Sequence, residues 1–111
     1  MTLKTGSCSN PKCHRPYTKD SYREAIVLME LGTGRMDFRI FSVCEVCHTN
    51  LTDEIVKDSI ADVLAYETER VANDVTTSRE RLKTWKDNYD KCRIINWGRN
   101  RMELDDKLSI K

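Results

Sequence analysis

Glycine and proline are scarce in this 111-residue chain, four and two respectively, and neither occurs from residue 35 to residue 97. The middle of the chain therefore lacks the commonest helix stops, and long helical structure is expected there. Aromatic residues make up 7% and hydrophobic residues 39%, against 33% charged. That is a thin core supply for one domain, so something besides burial is expected to hold part of the chain. Long apolar runs are missing too. The longest, "AIVLM" at residues 25 to 29, falls far short of the roughly 20 residues that cross a bilayer. The N-terminal "MTLKTGSCSN" has no apolar h-region, so the expectation is a cytoplasmic protein without a membrane span. A net charge of +1 gives no overall pull toward nucleic acid. Only two histidines occur, with no Gly-rich phosphate loop and no Ser or Cys beside a credible base, which argues against an enzyme.

Cysteine is not scarce. Four of five come as two close pairs, "CSNPKC" (Cys8, Cys13) and "CEVC" (Cys44, Cys47), while Cys92 stands alone. In a reducing compartment such pairs point to metal more than to disulfides. Zinc takes four soft ligands in a tetrahedron, and two turns bearing two thiolates each supply them. Main-chain N–H groups in those turns can donate to the sulfurs. "CEVCH" also spells a c-type haem attachment signal. Haem attachment normally needs export, and both histidines would be spent as proximal ligands, so zinc is the expected ion. His14 and His48 are expected to cap turns or face solvent rather than to replace a cysteine. Cys92, at helical spacing from Trp85 and Tyr89, reads as a small buried hydrophobe.

Between the pairs, "YREAIVLMEL" suits a strand, "GTG" a turn, and "RMDFRIFSV" alternates. Met36, Phe38, Ile40 and Ser42 share one face; Asp37, Arg39, Phe41 and Val43 share the other. The result is a β-hairpin whose second strand delivers Cys44. After Cys47, Asn50 or Thr52 can cap a helix opening with Asp53 and Glu54. Turn with two Cys, hairpin, turn with two Cys, helix: this order, over residues 8 to 70, resembles the treble-clef group of zinc fingers. The resemblance implies one structural Zn2+ on Cys8, Cys13, Cys44 and Cys47, and says little about function. Treble-clef nucleases place a His in the hairpin, and residues 22 to 43 contain none.

From Asn50 onward the pattern is helical. Leu64, Thr68, Val71, Val75, Ser78, Leu82, Trp85, Tyr89 and Cys92 keep a heptad register, imperfect at Thr68 and Ser78. A continuous helix over 52 to 96, roughly 67 Å long at 1.5 Å per residue, is expected. A helical hairpin is the competitor. "NDVTTS" (73 to 78) holds weak helix formers, and Thr77 with Glu80 offers a capping box. Residues 51 to 74 carry seven acids against Lys57 and Arg70, whereas residues 75 to 101 carry eight bases against Glu80, Asp87 and Asp90. Opposite halves attract when antiparallel, in a hairpin or in an antiparallel homodimer through the helix.

The expected architecture is α+β: a zinc module over 1 to 51, a long helix or coiled-coil hairpin over 52 to 97, and a tail over 98 to 111. The tail holds apolar Met102, Leu104, Leu108 and Ile110, fit for docking on the body or on a partner. The expected function is a non-enzymatic regulator or adaptor that binds a macromolecule, of a kind familiar among modulators of phage type. A protein target would meet the helical stripe Leu64, Val71, Val75, Leu82, Trp85, Tyr89 and Cys92. A nucleic acid would meet Arg15, Lys19, Arg35, Arg39, Arg93, Arg99 and Arg101. Residues 1 to 50 hold seven bases against five acids, a modest electrostatic case. A nuclease or a redox switch of the zinc thiolates ranks last.

Overall fold

A computed structural model describes residues 6–13, 15–17 and 20–109. The expected hairpin is its centre: strand β3 (Tyr22–Glu30) pairs antiparallel with β4 (Met36–Cys44), from Tyr22 opposite Cys44 to Glu30 opposite Met36. The turn closes through Leu31 N donating to Arg35 O at 2.7 Å and Gly34 N donating to Leu31 O at 2.9 Å. Gly34 has φ 88°, a left-handed conformation that glycine adopts without steric cost. Two short strands, β1 (Gly6–Ser7) and β2 (Pro16–Tyr17), form a second antiparallel sheet around the first cysteine turn. The fold is α+β with two small antiparallel sheets.

After helix α1 (Glu45–Thr49), helix α2 runs over Asp53–Asn73, its first turn capped by Thr52, whose hydroxyl accepts from Ile55 N. The continuous helix to residue 96 is not formed. Asp74 ends α2: its Oδ1 accepts from Thr76 N at 2.9 Å and Thr76 Oγ1 at 2.7 Å, and its main-chain O accepts from Thr77 N at 3.0 Å. Polar side chains that bond nearby backbone compete with the helix and stop it without any glycine. Helix α3 (Arg79–Tyr89) then starts with Ser78 as its cap, not Thr77, the Ser78 hydroxyl accepting from Arg81 N. It turns back on α2, where Trp85 Nε1 donates to Thr68 Oγ1 at 2.9 Å.

Residues 93 to 97, expected to finish the helix, instead form strand β5 (Arg93–Gly98), antiparallel to β3 on the side away from β4. Ile94, Ile95 and Trp97 are strand formers, and β3 offers them a free edge. The register slips between Leu28 and Met29, a bulge that leaves Ile95 without an opposite residue. Helix α4 (Arg101–Ser109) follows, Asn100 Oδ1 accepting from Glu103 N at 2.8 Å. The tail is thus docked as far as Ser109 through Leu104, which is fully buried, while Met102 is exposed; Ile110 lies outside the described residues.

The sheet has two unlike faces. Ala25, Val27, Met29, Phe41, Val43 and Trp97 form the main core with Val56 and Ile60 of α2 and with Cys8, Cys44 and Cys47. On the other face α4 lies over β5 and β3: a Cβ on Gly98 would meet Leu104 N at 2.4 Å, and the Arg101 guanidinium lies 4.2 Å from the Phe38 ring centre. Among the described residues, no helix is long and apolar enough to cross a membrane.

Candidate metal centre

Each pair of cysteines reaches the site on its own turn. In the first, Cys13 N donates to Asn10 O at 2.9 Å and Lys12 N donates to Asn10 Oδ1 at 3.1 Å, so one residue folds the loop through both its main chain and its side chain. Ser9 N donates to Ser42 O at 3.1 Å, which ties this loop to the strand that delivers the second pair. In the second, Cys44 ends β4 and caps α1, its sulfur accepting from Cys47 N at 3.5 Å. Strand pairing and capping together carry the two turns to one place.

The four sulfurs of Cys8, Cys13, Cys44 and Cys47 all lie within 4.8 Å of one another, and Cys13 Sγ and Cys44 Sγ are 3.9 Å apart. A tetrahedron of sulfurs around an ion at 2.3 Å has edges of about 3.8 Å, so this spacing fits a metal ion. Three of the four are buried at one end of the core. The Asn10 amide donates to Cys47 Sγ at 3.6 Å. Residue spacing gives no hint of this contact, because only the fold brings residue 10 to residue 47.

Burial is the largest influence on each buried thiol and pushes it up. Cys8 stays raised against opposing main-chain groups of Cys44 and Asn10, and Cys47 is pushed up to about 12 despite the Asn10 amide. At Cys44 burial is outweighed by the Cys47 N–H and by the thiols of Cys47, Cys13 and Cys8, and its pKa is lowered. A cation among these sulfurs would favour all four as thiolates.

His48 is not among the clustered ligand atoms, and its Nε2 lies 3.0 Å from Arg99 O. His14 lies outside the described residues. Cys92 packs against the core rim, its thiol donating to Tyr89 O at 3.1 Å.

Four of the basic residues singled out by sequence are paired within the chain. Arg39 pairs with Glu67 of α2, Arg93 with Glu30 at 2.8 Å, and Arg101 with Asp105 at 2.9 Å. Arg99 is a structural clamp. It pairs with Glu103 at 2.7 Å and donates to the carbonyl of His48 at 3.0 Å and, more weakly, to those of Thr49 and Leu51 at 3.4 Å, closing the end of α1. Arg15 and Arg35 are exposed, and Lys19 lies outside the described residues. Of the stripe, Leu64 packs against the core and the rings of Trp85 and Tyr89 sit 4.4 Å apart. Val71 and Leu82 are half-buried, and Val75 stands 99% exposed in the turn between α2 and α3. No family model, curated protein or solved structure matches the chain.

Proposed function

We propose that this chain is a non-catalytic zinc protein, in which one structural Zn2+ on Cys8, Cys13, Cys44 and Cys47 fixes a scaffold that binds another macromolecule as a regulator or adaptor. The convergence of four sulfurs within 4.8 Å carries the reading. An all-sulfur set suits zinc over calcium or magnesium, which take oxygen. Four thiolates fill a tetrahedral ion and leave no position for a reacting water, so the ion's contribution is structural. The succession of cysteine turn, β3–β4 hairpin, Cys44–Cys47 turn and helix supports the likeness to treble clefs. Both thiols of "CEVCH" point into the sulfur cluster, which supports a metal ion over thioether-linked haem.

Elemental analysis of the purified chain should find one zinc per molecule. Cobalt in its place should give the intense absorption of a tetrathiolate site, lost in Cys44→Ser and kept in Cys92→Ser. A red, haem-bearing protein or a metal-free folded one would overturn the reading.

A protein target fits better than nucleic acid. Binding a phosphate backbone needs unpaired cations along one track. Of the seven basic residues proposed for it, Arg39, Arg93, Arg99 and Arg101 are each held by a carboxylate of the same chain. Duplex DNA and single-stranded RNA should therefore not be retarded at low salt. Retardation that weakens steeply with added salt would move the target to nucleic acid.

A further inference from the structure

Strand β4 is an edge of the three-stranded sheet, and one of its faces carries exposed apolar side chains. Met36, Phe38 and Ile40 point to the α4 side and are 55%, 42% and 60% exposed. No proline, bulge or lysine blunts this stretch; the charges it carries are Asp37 and Arg39, one of each sign.

The hydrogen bonds already made fix which main-chain groups remain. Leu31 N donates to Arg35 O, so odd-numbered residues of β4 direct their N–H and C=O toward β3. Ser9 N reaches Ser42 O from outside, so even-numbered residues direct theirs outward. Met36, Phe38 and Ile40 thus present a row of donors and acceptors with no main-chain partner among the described residues.

We propose that this edge pairs antiparallel with the same edge of a second copy, about a two-fold axis at Phe38. The sequence Met36-Asp37-Phe38-Arg39-Ile40 is self-complementary in that register. Phe38 meets Phe38, Met36 meets Ile40, and Asp37 meets Arg39 twice. The outward N–H and C=O groups make Phe38–Phe38 and Met36–Ile40 the hydrogen-bonded pairs. Asp37 and Arg39 then fall at the narrow, non-hydrogen-bonded sites, where side chains approach most closely.

The alternative registers are repelled. Centring the axis on Asp37 opposes Asp37 with Asp37 and Arg35 with Arg39; centring it on Arg39 opposes two arginines. Arg39 shares the core side of the sheet with Asp37, where it pairs with Glu67 and lies 5.7 Å from the Tyr89 ring centre. A guanidinium has five donors, so it can keep Glu67 and still donate one bond to the second Asp37. On the other face Arg101 covers Phe38 and leaves Met36 and Ile40 to meet their counterparts. The product is a continuous six-stranded sheet. Five paired residues a side place the contact among weak, reversible interfaces. It differs from association through the helical stripe, which α3 and α2 occupy with each other.

The test uses the full, zinc-loaded chain in analytical ultracentrifugation across micromolar to millimolar concentrations. The expected result is reversible growth to twice the 13.0 kDa chain mass. Asp37→Lys, which sets Lys against Arg39 of the second copy, should weaken the dimer by about tenfold or more while zinc content and circular dichroism stay unchanged. In a mixture of isotope-labelled and unlabelled chains, filtered NMR should show contacts between Met36 and Ile40 methyl groups of different molecules. Overturning results are a monomer at every concentration, a dimer indifferent to Asp37→Lys, or intermolecular contacts on α2 or α3 instead of β4.

Discussion

Asn10 donates its side-chain amide across the fold to a sulfur of the second cysteine turn. Donors of this kind orient metal ligands and spread their charge, and losing one typically costs 10–100-fold in affinity. Asn10→Ala should therefore weaken zinc binding by about that factor, read by competition with a chromophoric chelator, while the zinc-loaded fold persists. Unchanged affinity would mean that the amide contact is incidental. Ser59 is the opposite case. Its hydroxyl is fully buried on α2 and has no hydrogen-bond partner among the described residues. A buried unpaired hydroxyl is a net cost, so Ser59→Ala should raise stability by about 1 kcal/mol in denaturant unfolding. At this scale the sulfurs were legible and the amide was not. Paired spacing marks thiol ligands in any fold, whereas a residue that touches one sulfur from a distant loop leaves no local trace.

Among the elements, the β3–β4 turn and the end of α3 hold each other. Gly32 N donates to Asn88 O at 2.8 Å, and Thr33 Oγ1 donates to Asn88 Oδ1 at 2.8 Å. A Cβ on Gly32 would meet Asp87 O at 2.1 Å, and this neighbour is backbone that cannot swing aside. Gly32→Ala should cost about 2–4 kcal/mol, the range of overpacking and strained backbone, with the loss appearing in the thermal midpoint. A cost below 1 kcal/mol would show that the turn and α3 separate freely.

The hairpin and the start of α2 follow from alternation and a Thr52 cap that can be read in the sequence. The hairpin of α2 and α3 was only half legible. The heptad phase runs unbroken across residues 74 to 78, yet Val75, one of its apolar positions, is left in water. Polar residues that bond their own backbone ended the helix where periodicity alone would have continued it. Because α3 folds back on α2 of the same molecule, the far-UV helical signal should not fall on dilution. Strand β5 escaped for a different reason: a five-letter run such as "RIINW" takes its identity from its neighbour, and that neighbour lies more than sixty residues earlier in the chain.

For the whole molecule, β3 is the shared member. It pairs with β4, which delivers Cys44, and with β5, which carries Trp97 into the core cluster that also holds Cys8 and Cys47. Structural zinc supplies about 10–16 kcal/mol in small fingers, as much as the whole stability of most domains. Stripping the ion with a strong chelator should therefore unfold more than the cysteine turns. Trp97 emission should shift to longer wavelength in step with loss of far-UV structure. Persistence of a buried Trp97 after complete zinc removal would show that the sheet stands without the ion.

The position of β5 also bears on how the chain assembles during its synthesis. Everything needed to close the sulfur cluster has been made once Cys47 leaves the ribosome, after a loop of modest length. The third strand arrives only with residues 93 to 98, so β3 must wait through half the polypeptide with that flank open. An ion captured that early would keep the nascent hairpin from straying toward other strands during that interval, and would so act as a guardian of the newborn chain as well as a brace for the finished one.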